Sequence, residues 1–284
     1  MTKTKADVVV AKIEDNTSLV GPDYLTGNEN TGMGELGQGD YKIPRMLLLQ
    51  PLSPAVRSFK GEAIPGSFWH NVLNTSLGTS FSFVPIIARK RIIVWRPRGD
   101  DDGGILAYSE DGVNWVSGAN STFKIKLKGK AEPVEWRTGK NVLNSGLLNW
   151  GTSDPDDMNS APAATTSYEY LCHLIDRPEA SPIVMSLNKT SLPIAKGFNT
   201  SLMMTKKPIY CIKVVCSVEE QTRGKDAWYV PKFKLDGYVD RKTYEMTKHL
   251  SEQYQNYKPD VEEEIMSIKN GENTSKIVDD QIPF

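Results

Sequence analysis

The chain has 284 residues, with 34 Lys and Arg against 35 Asp and Glu and 39% hydrophobic residues. That length and balance suit one large domain or two small ones with a sizeable core, and no stretch is apolar for long enough to cross a bilayer as a helix. The apolar patch at residues 8–11 is too short for the core of a secretory leader, so the expected location is cytoplasmic, without a membrane partner.

Charge is spread unevenly. Residues 1–40 carry three Lys and seven acids, and residues 258–284 carry the same count, so each arm is at −4. Residues 41–257 hold 28 Lys and Arg against 21 acids, or +7. A basic body between two acidic arms points to a polyanion-binding core with solvated, interaction-prone ends. The division expected is therefore an acidic arm to residue 40, a body over 41–257 and an acidic tail over 258–284. Cys172, Cys211 and Cys216 have no CxxC spacing and are odd in number, so they are expected in strands or core rather than in disulfides.

Residues 1–40 lack sustained hydrophobic periodicity. Gly32-Met33-Gly34-Glu35-Leu36-Gly37 matches the dinucleotide fingerprint in letters only. That motif works through a strand before it and a helix after it, and neither flank supplies one. Order is expected to begin at "YKIPRMLLLQPLSP", whose apolar run 46–49 is of strand length. "SFWHNVLN" (67–74) and "SFSFVPIIARKRIIVW" (80–95) are rich in aromatic and β-branched residues and predict strands. In "TFKIKLKGK", Phe123, Ile125 and Leu127 alternate with Lys124, Lys126 and Lys128, the pattern of a strand with one wet face. "SYEYLCHLID" (167–176) predicts another strand. "TSLPIAKGFNTSLMM" predicts a helix from Thr190 or Ser191, with Pro193 tolerated in its first turn. Two strands, "PIYCIKVVCSVEE" and "DAWYVPKFKLDGYV", follow around a Gly-containing turn. A helix capped by Asp240 then runs to Pro259. Many short strands, few helices and no βαβ alternation predict a mainly β (α+β) fold, an antiparallel barrel or sandwich with one or two helices.

Catalytic signatures are sparse. His70, His173 and His249 are scattered, and there is no nucleophile elbow or P-loop. Asp100–Asp102 and the group Asp154, Asp156 and Asp157 offer the one metal-dependent alternative, a nuclease. Both groups lie among Gly, Ser and Pro, where acids face water. No cofactor and no enzymatic activity are expected.

Cations interleaved with aromatics are frequent. Single strands are held by Lys and Arg along the phosphates and by aromatic faces under the bases. The candidates are Arg89, Lys90, Arg91, Trp95, Arg96 and Arg98, then the lysine face Lys124, Lys126 and Lys128. Trp136 and Arg137 follow in "EWRTGK", and Lys232, Phe233 and Lys234 in "WYVPKFK". A charged outer sheet face and buried aromatics would explain any one of them equally well.

The last six residues are "DDQIPF". They resemble the acidic tip of bacterial single-stranded DNA-binding proteins through Asp279, Asp280, Ile282, Pro283 and Phe284, with Gln281 where an acid is common. The resemblance implies a tip that docks on replication, recombination and repair proteins. Physically, the Phe284 ring would fill an apolar pocket while its α-carboxylate meets a basic side chain. The stretch "YKIPRMLLLQPLSPAVRSFKGEAIPGSFWHNVL" is similar to phage- and mobile-element-encoded proteins thought to bind single-stranded DNA. That similarity implies an oligonucleotide-binding (OB-fold) barrel with insertions. The expected role is to coat and protect single-stranded DNA and to recruit partner enzymes. The alternative is an adaptor or decoy that carries the tip and never touches DNA. Homo-oligomerisation is left open.

Overall fold

The computed structural model describes residues 43–97, 104–224 and 226–255. Strand β1 (Arg45–Leu48) leads through helix α1 (Pro54–Ser58) to β2 (Phe68–His70), β3 (Thr75–Gly78) and the long β4 (Ser80–Trp95). Next come β5 (Ile105–Ser109), β6 (Thr122–Ile125), β7 (Val134–Arg137) and the short helix α2 (Val142–Ser145). The chain then forms β8 (Ala164–Leu174), β9 (Ile183–Asn188), helix α3 (Leu192–Met204), β10 (Ile212–Arg223), β11 (Asp226–Tyr238) and helix α4 (Arg241–Tyr254). The fold is mainly β, with four α-helices among the described residues.

Nine strands form one curled sheet in the order β11-β10-β4-β8-β9-β1-β2-β3, with β5 added to β4. All neighbours are antiparallel except β1 and β9. β8 pairs with β4 from Phe83 to Val94 along one edge. The other edge is shared by β10 at residues 80–83 and β5 at residues 92–95. Sixteen residues at roughly 3.3 Å each make β4 about 50 Å long, so its two ends lie in different cores.

At its start, Phe81 and Phe83 join Phe68, Tyr170, Ile183 and Val214 on the concave face, which α3 covers with Ala195, Phe198 and Leu202. Those helix positions follow the spacing that keeps side chains on one stripe. The opposite face buries Ile86, Leu171 and Val184 beneath Tyr254 of α4. Covering on both faces explains the unbroken apolar run here, where a half-exposed strand would alternate. Pro85 sits at a register shift between Pro85 and Ile87, where a bulge spares it a ladder hydrogen bond it cannot donate.

The curl is held at one seam. The Gln50 carboxamide, just after β1, bonds both backbone groups of Tyr229 on the end strand β11: Nε2 donates to the carbonyl and Oε1 accepts from the N–H, each at 2.9 Å. An amide can replace a strand here because it offers one donor and one acceptor in a plane. The Tyr229 ring lies over Gly66 (φ +79°), where a Cβ would come within 2.8 Å of the ring. Both the left-handed backbone and the close ring call for glycine.

At its far end, β4 contributes Ile92 and Val94 to a second core with Ala107, Trp115, Ile125, Trp136 and Leu147. β6 and β7 form a separate two-stranded ribbon over that core. Indole N–H groups tie the lobe's loops together: Trp115 Nε1 donates to the Thr138 carbonyl at 3.0 Å and Trp136 Nε1 to the Ser153 carbonyl at 3.2 Å.

α4 begins as its sequence predicts. Asp240 Oδ1 accepts from the Thr243 N–H at 3.0 Å, and this cap holds the Asp240 carboxyl below its ordinary pKa. α3 begins at Leu192 with Pro193 in the first turn, but Ser191 makes no side-chain cap. β2 is shorter than its predicted run, because residues 71–74 turn instead of extending.

Candidate nucleic-acid interface

The β6–β7 ribbon sorts its side chains by the period of two that a pleated strand imposes. Phe123 faces Trp136 and Ile125 faces Val134 on the inner side, over the lobe core. Thr122 faces Arg137 and Lys124 faces Glu135 on the outer side. Lys126 and Lys128 continue past the strand end, and all three lysines are exposed. None of them lies within ion-pair distance of a carboxylate among the described residues. Glu135 is already engaged: Arg137 Nη2 donates to its Oε2 at 2.8 Å and holds its carboxyl below the ordinary range. Residues 122–140 hold six Lys and Arg against two Glu, a net +4. Lys124 on the strand and Lys126 and Lys128 on the segment that follows it form a cationic surface, with Lys130 of the same stretch paired to Asp154 and Asp156.

Other sequence candidates have structural employment. Trp136, a stacking candidate by sequence, is 3% exposed and fills the lobe core, so the alternation that turns Lys124 outward turns Trp136 inward. Arg91, a phosphate-contact candidate, is 1% exposed; its Nη1 donates to Glu169 Oε1 at 3.0 Å. Arg45 meets the same oxygen at 3.3 Å. A guanidinium buried against a carboxylate is committed to the fold. Arg89 is half-buried; its Nη2 donates to the carbonyls of Tyr254 and Gln255 at 3.2 and 2.9 Å. It satisfies carbonyls that the end of α4 leaves without helical partners. Lys90 runs its aliphatic stem past Gly112. Trp95 and Arg96 are half-buried at the end of β4.

On β11, Phe233 packs inward against Phe83 and Phe198. Lys232 and Lys234 are exposed, and Lys232 pairs with Glu219 at 3.1 Å. Because β11 is the end of the sheet, Pro231 and these lysines also discourage another strand from pairing there. Arg98 and the tip residues Asp279, Asp280, Ile282, Pro283 and Phe284 lie outside the described residues, as do Asp100–Asp102 and the Gly32–Gly37 motif.

The second acidic group has a partner inside the protein. Lys130 Nζ bonds Asp154 Oδ1 and meets Asp156 Oδ2 at 2.8 Å, and Asp157 Oδ1 accepts from the Asn159 N–H at 2.9 Å. Lys130 lowers the Asp154 pKa, and the aspartates raise that of Lys130. These carboxylates shape a loop around an ammonium. Among the described residues, no three metal-type side chains converge, and no helix is long and apolar enough to cross a membrane.

One exposed aromatic is not among the sequence candidates. Trp150, on the same lobe as the ribbon, is 63% exposed. It has no cation beside it in the chain, so a pattern of interleaved charge does not reach it.

The class that fold and site define is a mainly antiparallel β protein, with a curled sheet, a plugging helix and a detached cationic ribbon. The chain belongs to the Pam3 phage gp34-like protein family, whose model matches residues 14–258. No curated protein and no solved structure matches it.

Proposed function

We propose that this phage-family protein binds single-stranded DNA through its basic body and recruits partner enzymes through its acidic C-terminal tip. The observation that carries the first half is the ribbon's outer face, where Lys124, Lys126 and Lys128 are exposed and beyond ion-pair distance of any carboxylate among the described residues. Lys124 lies opposite Glu135 and adds to Arg137 in lowering its pKa. Cations that serve the fold are paired, as Arg91 is; exposed lysines side by side keep their charge available to a polyanion. Lys124 is on the strand and Lys126 follows its end by one residue, a spacing of about 6.6 Å at the strand rise, which lets each meet a different phosphate. The curled sheet is compatible with an oligonucleotide-binding barrel enlarged by insertions. The second half rests on the chemistry of "DDQIPF" and on its position beyond the matched family region.

The test is a titration of the full chain with labelled oligo(dT), alongside a variant carrying Lys124→Glu, Lys126→Glu and Lys128→Glu. Wild type is expected to prefer single over double strands and to weaken as salt rises. The variant should bind at least tenfold more weakly, with a salt slope shallower by about 2, since each phosphate contact on a single strand contributes roughly 0.7. No binding in dilute buffer would leave the adaptor alternative, and degradation of the strand with Mg²⁺ would restore the nuclease.

A further inference from the structure

A cleft of about 300 Å³ opens between α3 and the β10–β11 hairpin. Gly197 and Phe198 line it from the helix, and Pro231 and Phe233 from β11. The Phe198 and Phe233 rings stack at 4.4 Å with their planes 21° apart, so the inner end is aromatic. Gln221 adds a carboxamide, and Lys232 adds an ammonium that pairs with Glu219, also in the lining, at 3.1 Å.

Gly197 gives the cleft a meaning beyond its shape. It stands inside α3 without a left-handed φ, and a Cβ built on it would meet nothing within 4 Å. Glycine in a helix interior costs about 1 kcal/mol relative to alanine. Among the described residues, neither backbone geometry nor packing accounts for that cost. The space over Gly197 is open to a bound group.

The surroundings indicate its chemistry. Residues 189–238, which supply both walls, hold nine Lys and Arg against four acids, a net +5. The Lys232–Glu219 pair cancels charge within the lining, and the positive excess of the residues around it attracts an anionic chain. Aromatic and prolyl walls suit a flat heterocycle, and a carboxamide matches a base edge with one donor group and one acceptor. We propose that this cleft holds one unstacked nucleobase of a bound single strand. The assignment rests on the single-strand reading above and adds a second contact point. The cleft adjoins the core at the start of β4 and the ribbon covers the core at its far end, so one strand engaging both must run along the molecule.

The experiment compares the full-length wild type with Gly197→Leu, whose side chain would enter the cleft, using anisotropy of labelled oligo(dT). Gly197→Leu is expected to bind about tenfold more weakly, the size of one lost base contact, with no fall in melting temperature. Gly197→Ala should be intermediate. Independently of any variant, an oligonucleotide carrying 5-iodouracil should crosslink wild type within residues 192–204 or 231–235. Unchanged affinity in a folded Gly197→Leu, or crosslinks only elsewhere, would overturn the cleft assignment and leave single-strand binding intact. If wild type ignores the oligonucleotide altogether, both fall together.

Discussion

The two ends of β4 are stabilised by different means. At its start, regular strands bury aliphatic and phenyl side chains on both faces of the sheet, beneath α3 on one side and α4 on the other. At its far end, the lobe over residues 104–163 has little regular structure and relies on tryptophans whose indole N–H groups reach loop carbonyls. The sheet buries a charge pair, Arg91 with Glu169, whereas the lobe's ion pairs lie at its surface beside lysines that face water. Rigid burial and an available charged surface are thus separated along a single strand.

The largest effects test whether the two cores are separable. Phe83→Ala removes a fully buried ring at the sheet end and should cost roughly 3–5 kcal/mol, seen as a global fall in denaturant midpoint. Trp136→Ala should cost a similar roughly 3–5 kcal/mol, but hydrogen exchange should rise mainly in residues 104–163. If Trp136→Ala also exposes β8 and β10, the two ends form one cooperative unit and the separation is wrong.

Gln50→Ala tests the seam. Losing both bonds to Tyr229 should cost about 1–2 kcal/mol, near 1 kcal/mol per hydrogen bond, with faster exchange along β11. An effect spread evenly over the sheet would show that the curl does not depend on this amide.

Acid should discriminate more gently. His70 Nδ1 accepts from the N–H groups of Val72 and Leu73 at 3.3 and 3.0 Å, which requires a neutral ring, and burial lowers its pKa. Burial also lowers that of His173. The unfolded chain therefore binds protons that the folded one refuses. The stabilisation is complete above the ordinary histidine value of 6.5 and is lost as pH falls through it towards the folded values. Both histidines lie at the sheet end and the lobe contains none, so melting should shift with pH while lobe-specific exchange stays level. His70→Asn, whose Oδ1 can accept the same bonds, should flatten part of that slope.

Long elements are legible in the sequence itself. Aromatic and β-branched residues from 80 to 95 delimit β4, and Asp240 marks the start of α4. The lysine alternation of 123–128 assigns both faces of β6 correctly, but the strand itself ends at Ile125 and residues 128–129 turn. Three other short strands leave no such trace, for a common reason. β3, β5 and β7 have four or five residues, too few for a period to emerge, and they extend because a neighbour supplies hydrogen bonds. "VEWR" reads as a cation–aromatic cluster, and its pairing with β6 is what turns Trp136 into core. Asp154 and Asp156 resemble a metal site because Lys130 lies 24 and 26 positions away.

Local order along the chain determined where backbone would extend or coil, which faces would be apolar, and how charge divides into a basic body and acidic arms. Those properties follow from rotamer, period and composition, all of which act over a few residues. Tertiary structure alone decided which cations are spent. Arg89 could become a helix terminator, Arg91 a buried ion pair and Lys124 an exposed charge only once distant strands met, because a charge's role depends on the partners and the water around it.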